Sequence, residues 1–255
     1  MNTLILRSAS GALYVLLFVG TVLSPYPVLF SLFIIALAAL AAFELAKMQS
    51  KPTYAAVIIA LSILTISTQL LGPLWTAGVG ALLASQSLIS LRRSFTAPSF
   101  YWLFTLAYMS LGIACFYAIY SLGQWVCLGV LIALWTNDSF AYLTGSLIGK
   151  TKVSSISPNK SLEGYIGGFV FCITSTLIAN ELLSLGLSWT QASVLGALIS
   201  ISAHLGDLVI SKLKRIYERK DTGRLIPGHG GIMDRIDSLI FSVPFTYLYL
   251  QFVIV

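Results

Sequence analysis

The sequence predicts an all-α polytopic membrane protein with about nine transmembrane helices, a cytoplasmic N terminus and an outside C terminus. Three observations predict it. Of 255 residues, 57% are hydrophobic and 9% charged, with a mean hydropathy of +0.90, whereas soluble domains are about a quarter charged. Nine apolar runs have the roughly 20-residue length that spans a bilayer. Lys and Arg fall in alternate connections between those runs, as the positive-inside bias requires.

In chain order, the runs lie near Leu4 to Leu23, Val28 to Ala46, Tyr54 to Leu71, Leu74 to Leu91 and Phe100 to Tyr120. Four more follow, near Trp125 to Ile148, Tyr165 to Leu185, Thr190 to Ile210 and Ile236 to Val255. The first run also has the shape of a signal peptide, with Arg7 at its basic end. No small-residue cleavage site follows it, and Pro25 and Pro27 read as a tight turn between helices.

The charges test the count independently. Arg7 precedes the first run, Lys47 and Lys51 follow the second, and Arg92 and Arg93 follow the fourth. Lys150, Lys152 and Lys160 follow the sixth, and seven more basic residues, Lys212 to Arg235, follow the eighth. The links around Pro25, Gly72, Ser121 and Ser188 carry no Lys or Arg, so all fifteen basic residues fall on one side. Connections this short leave no separate soluble domain. Residues 1–255 therefore read as one integral membrane domain, with apolar helices over 1–120 and the charged helices and loops over 121–255.

Composition also narrows the function. Cys115, Cys127 and Cys172 are scattered through apolar runs without CxxC or Cys/His spacing, which indicates neither a disulfide framework nor a zinc site. The net charge of +6 lacks aromatic-interleaved basic patches, so the cations point to lipid headgroups or phosphate-bearing substrates and not to nucleic acid. No internal repeat or low-complexity tract is visible.

The chemistry concentrates between Gly206 and Ser238, where half of the Lys, Arg, Asp and Glu residues lie. Asp207 ends the eighth run just ahead of a basic loop, Ser211 to Arg235, and Asp234 and Asp237 open the ninth at a spacing that puts both on one helix face. Carboxylates gathered at a membrane boundary repel one another unless a cation lies between them, and hard oxygen ligands suit Mg2+. The plainer alternative is that these acids pair with Lys214, Arg215 and Arg235. Asp138 lies within or at the end of the sixth run, where a lone carboxylate costs roughly 2.5 to 3.5 kcal/mol and needs a partner. Its plainer reading is a side chain reaching for the interface.

Between the acids, Gly223, Pro227, Gly228, Gly230 and Gly231 let the backbone turn and offer N–H groups to an anion at the start of the last helix. His229, among those glycines, is the histidine placed to contact phosphate, whereas His204 reads as a packed or hydrogen-bonded core residue. The loop Gly149 to Gly164 adds Lys150, Lys152, Ser157, Lys160, Ser161 and Glu163 on the same face. Glu44 and Glu181 lie near helix ends, where solvation is cheap, and receive no role.

These residues resemble the phosphatidate cytidylyltransferases, or CDP-diacylglycerol synthases. The resemblance rests on Ser211-Lys212-Leu213-Lys214-Arg215, four residues, Lys220-Asp221-Thr222-Gly223, and then Ile226 to Asp237, IPGHGGIMDRID. Support runs back through Gly206-Asp207-Leu208, Ser157-Pro158 with Lys160-Ser161 and Glu163-Gly164, and Asp138 with Ala141-Tyr142. The first five helices are similar only in being apolar. Ile210 stands where members often carry Glu, and Ser146 where many carry Lys or Arg, which bears on binding details more than on the reaction.

The resemblance implies transfer of CMP from CTP to phosphatidate, giving CDP-diacylglycerol and pyrophosphate, with Mg2+ required and room for a second cation. Asp207 and Asp234 would hold the metal, with Asp237 and Asp138 assisting. Lys214, Arg215, Lys220, Arg235 and Lys160 would neutralise phosphates. His229 and the N–H groups of Gly230 and Gly231 would contact the triphosphate, and Ser157, Ser161, Ser211 and Asp221 complete the implied substrate site. The implied partners are CTP, phosphatidate and the bilayer, with a homodimer left open. The implied location is a bacterial inner membrane with the active loops cytoplasmic.

Three rivals bear comparison. A transferase that consumes a CDP-lipid would show a DGxxAR helix motif, which is absent. A CTP-dependent lipid kinase leaves the long signature unexplained. A transporter would also bury acids in its helices but would spread charge to both sides of the membrane.

Overall fold

A computed structural model describes residues 3–48, 98–223, 225 and 230–254. The expected spans over Tyr54 to Leu71 and Leu74 to Leu91 lie outside the described residues, as do Arg224 and His229. Seven helices are described: α1 (Thr3–Val22), α2 (Pro27–Met48), α3 (Pro98–Leu122), α4 (Gln124–Ile148), α5 (Leu162–Leu182), α6 (Trp189–Ile216) and α7 (Met233–Ile254). Each begins and ends within a few residues of an expected span, apart from the C-terminal end of α6. Five of them, α2 and α4 to α7, are long and apolar enough to cross a membrane. An isolated bridge joins Lys152 to Ser161. The described residues are those of a helical, multi-pass membrane protein, as helices that satisfy their own backbone are one of the two ways to cross lipid.

One boundary corrects the sequence reading. The eighth span does not stop at Ile210: α6 continues to Ile216, so Ser211, Lys212, Lys214 and Arg215 are helical. Hydropathy falls where a helix leaves the bilayer, but Lys, Leu and Arg are good helix formers and carry the helix onward. Lys214 and Arg215 occupy its last turn, where cations complement the helix dipole. The chain then turns through Glu218, which has φ 53°.

The closest packing joins α4 to α5, α6 to α7, α5 to α6 and α3 to α7. Small residues make the α4–α5 seam, since lipid offers no hydrophobic drive to bring helices together and close backbone approach must supply the contact. A Cβ on Gly164 would lie 2.7 Å from the Ala141 carbonyl oxygen, and one on Gly168 would lie 2.9 Å from that of Asn137. This seam brings the middle of α4, with Asp138, up against the start of α5. On the other side, Tyr108 of α3 donates from its hydroxyl to the Asp237 carbonyl at 3.0 Å, and Tyr14 of α1 donates to the Arg235 carbonyl at 3.2 Å. Both bonds anchor the first turn of α7.

Candidate active site

Side chains from α4, α5, α6, α7 and the loop between α4 and α5 enclose one pocket of about 410 Å³, within the range of about 300–1,000 Å³ typical of small-molecule sites. Helix α4 contributes Asn137, Asp138, Tyr142 and Ser146; the loop contributes Ser157, Asn159, Lys160 and Ser161. Helix α6 contributes His204 and Asp207, and α7 contributes Asp234, Arg235, Asp237 and Ser238. Four carboxylates separated by up to 99 positions in the sequence therefore face one space, with Lys160 and Arg235 among them.

Each carboxylate is held differently. Asp207 forms an ion pair with Lys160, and both side chains remain partly exposed to the pocket. Asp138 accepts from Asn137 Nδ2 at 3.1 Å and from Ser238 Oγ at 3.0 Å, which supplies the partners that its intramembrane position demands. Asp237 is buried, and its Oδ1 accepts from the Ser238 N–H at 2.9 Å. It interacts electrostatically with both Asp207 and Asp138.

Asp234 is the most constrained. Its Oδ1 accepts from Lys214 Nζ at 2.7 Å. Its Oδ2 accepts from the Thr222 N–H at 2.9 Å, the Thr222 hydroxyl at 3.0 Å and the Gly231 N–H at 3.1 Å. Four donors match the roughly four lone-pair directions of a carboxylate. The glycine-bearing segment thus turns two of its N–H groups toward an anion of its own chain. Gly230, with φ 86°, makes the turn that allows this, a conformation costly for any residue with a Cβ.

The loop after α4 is fixed by its own residues. Ser161 caps α5, its hydroxyl accepting from the Gly164 N–H at 3.1 Å. Glu163 accepts from the N–H groups of Lys150 and Thr151 and from the Thr151 hydroxyl. Together they present Lys160 and Ser157 to the pocket. Arg215 ties the end of α6 to this loop, its Nε donating to the Ile156 carbonyl at 3.4 Å.

Not every expected site residue reaches the pocket. Lys214 reaches it through Asp234. Arg215, Lys220 and Asp221 are exposed and do not line it, Ser211 is buried in α6, and Gly230 and Gly231 lie behind Asp234. Of the two departures from the family pattern, Ile210 is fully buried in the core, whereas Ser146 lines the pocket.

Several residues that the sequence reading passed over belong here. Asn137, 1% exposed, links Asp138 to α6, accepting from Ser200 Oγ at 2.6 Å. His204 Nδ1 lies 2.7 Å from the Ser200 carbonyl, which makes Nδ1 the donor, and its ring meets that of Tyr165 edge-on. It is a hydrogen-bonded interior histidine, as expected, and it also lines the pocket. Glu44 was expected to be cheaply solvated and is instead 3% exposed. It accepts from the Met233 N–H at 3.1 Å and lies 3.2 Å from the Thr222 hydroxyl, whose single proton it shares with Asp234, because α2 packs against the start of α7.

Comparison with known proteins gives the family. The model of the "Cytidylyltransferase family" matches residues 5–253. A phosphatidate cytidylyltransferase of Staphylococcus haemolyticus is 37% identical over 164 residues, covering 64% of this chain and 63% of the relative. One from Thermotoga maritima is 42% identical over 150 residues, covering 56% of each. One from Bacillus subtilis is 42% identical over 120 residues, covering 47% of this chain and 45% of the relative. The aligned stretches thus span about half to just under two thirds of these relatives. With Asp234, Arg235 and Asp237 of the signature lining one pocket, a family match running almost from end to end places this chain in the cytidylyltransferase family.

Proposed function

We propose that this protein is a phosphatidate cytidylyltransferase, transferring CMP from CTP to phosphatidate with release of pyrophosphate. The observation that carries the reading is the convergence of Asp138, Asp207, Asp234 and Asp237 with Lys160 and Arg235 on one pocket in a bundle of membrane-length helices. Such a pocket suits the meeting of two phosphate compounds, one of them anchored in the bilayer.

In the proposed reaction a phosphate oxygen of the lipid attacks the α-phosphorus of CTP. The bond from that phosphorus to the β-bridging oxygen breaks, and pyrophosphate leaves with the electron pair. A phosphate monoester has a second pKa near 6, so the nucleophile is largely ionised at neutral pH and needs no strong base. The difficulty is bringing two polyanions together in register, which calls for cations and positioning. Lys160 and Arg235 supply fixed positive charge at the pocket wall, and Lys214 stands behind Asp234. Ser157 and Ser161 offer hydroxyls to phosphate oxygens.

Four carboxylates face one pocket, but among the described residues no three acidic, His or Cys side chains come close enough together to hold a metal ion, and Asp207 and Asp234 are each paired with a lysine. For Asp207 and Asp234 to hold Mg2+, Lys160 and Lys214 would have to leave them, with Asp237 and Asp138 supporting directly or through water. When bound, the cation would neutralise charge on the phosphates and on the departing pyrophosphate. The deciding experiment supplies purified protein with labelled CTP, phosphatidate and Mg2+. Pyrophosphate release that requires the lipid is expected, and CTP turnover to CDP with a phosphorylated lipid would replace this reading with a kinase.

We further propose nine spans with the pocket at the cytoplasmic face of an inner membrane, a reading supported by the one-sided placement of Lys and Arg. Reporter fusions after Arg93 and Lys152 are expected to read cytoplasmic, and one at Val255 external. A cytoplasmic C terminus would overturn the span count.

A further inference from the structure

We propose that Glu44 is a positioning residue for the reaction proposed above, acting through Thr222 and the first turn of α7; the proposal rests on that reading of the function. Glu44 sits near the end of the apolar helix α2, and its Oε2 accepts from the Met233 N–H and lies 3.2 Å from the Thr222 hydroxyl. Met233 opens α7, so its N–H is one of the unsatisfied donors at a helix start, where a carboxylate is also favoured by the dipole. The next residue is Asp234, and the Thr222 hydroxyl that faces Glu44 lies 3.0 Å from Asp234 Oδ2 as well. One buried hydroxyl therefore sits between two carboxylates, one belonging to the pocket and one to a helix that does not line it.

Two glycines of the signature make room for this contact. A Cβ on Gly223 would lie 2.4 Å from Glu44 Oε1, and the next nearest atoms are Cδ and Cγ of the same side chain. A Cβ on Gly231 would lie 2.4 Å from Glu44 Oε2 and 2.3 Å from the Thr222 hydroxyl. Neither glycine has a positive φ, so space and not backbone conformation calls for glycine here. The sequence reading took these glycines as a cradle for a substrate phosphate. The geometry points to their seating the carboxylate of Glu44, which in turn sets where the loop and Asp234 stand.

The test is a double-mutant cycle on purified protein, read by pyrophosphate release and, independently of activity, by the rate of tryptic cleavage at Arg219 and Lys220. Glu44→Ala is expected to lower kcat roughly 10- to 100-fold, the usual range for partners that orient a ligand-bearing side chain, and to speed cleavage of the loop. Glu44→Gln keeps an acceptor oxygen for both donors and is expected to stay near wild type in both readouts. Gly223→Ala, which displaces Glu44, should resemble Glu44→Ala, and the double variant should be no worse than Glu44→Ala alone. Additive losses, or unchanged loop cleavage in Glu44→Ala, would overturn the proposal. If Glu44→Ala does not insert, Gly223→Ala, whose added Cβ has only Glu44 atoms as its three nearest neighbours, should accelerate cleavage in the same way. Because the cleavage assay needs no substrate, inactivity of the wild type toward phosphatidate would defeat the functional reading while leaving the loop contact to be judged separately.

Discussion

Asp207→Asn is expected to reduce pyrophosphate release at least about 10³-fold, the upper end of what one well-placed electrostatic group contributes, while the protein still inserts and unfolds at close to the wild-type temperature. The argument joins location to surroundings. Asp207 lies on α6 where that helix passes the pocket, and it pairs with Lys160 from the loop between α4 and α5. The Asp207 side chain is 37% exposed, so water screens its charge; the Lys160 ammonium is buried, and the amide oxygen of the variant can still accept from it. Asparagine keeps the shape but removes the negative charge, which is what a cation or the arrangement of phosphates beside it would depend on. Activity within tenfold of wild type would remove Asp207 from the centre of the proposed reaction. A large drop in melting temperature would mean that the Lys160 pair holds the loop in place, and that lost activity reports lost structure.

Much of this arrangement was legible in the sequence because a bilayer allows few alternatives. Apolar runs of spanning length must be helices, and all seven described helices fall on expected spans. The acids on α6 and α7 stood out because charge is scarce in this chain, and the structure gathers them with Asp138 as expected. What the sequence hid was partnership over distance. Asp138 needed a partner, but nothing local names Ser238, 100 positions away. Glu44 is the instructive miss. It was read as a helix-end residue in cheap contact with water, yet it contacts Thr222 and Met233, 178 and 189 positions along the chain. A signal was available, since Glu44 is the one acid in α2, whose mean hydropathy reaches 2.5. An ionisable residue in such a helix is by default a functional candidate, and this holds for Glu44 as it does for Asp138. The end of α6 was misplaced for a related reason: hydropathy reports where the membrane ends, and the helix outlasts it.

Asp234→Asn is expected to match Asp207→Asn in activity, again losing about 10³-fold or more, and to differ from it in stability. Asp234 and Lys214 are nearly enclosed, with side chains 8% and 13% exposed. Removing one member of a buried pair leaves the other charge uncompensated, at a cost of about 3 to 5 kcal/mol. Asparagine has one acceptor oxygen for four donors: Lys214, the Thr222 N–H and hydroxyl, and the Gly231 N–H. Whichever way the amide is turned, its NH2 faces other donors. The melting temperature should therefore fall well below that of Asp207→Asn, and the loop through Lys220 should become more open to trypsin. Lys214→Met added to Asp234→Asn removes the stranded ammonium and should restore part of the lost stability without restoring activity. Recovery of activity in that double variant would show that Asp234 serves only to balance Lys214. A single variant as stable as wild type would show that the four hydrogen bonds do not hold the loop, and Asp234 would then have to act on the substrates directly.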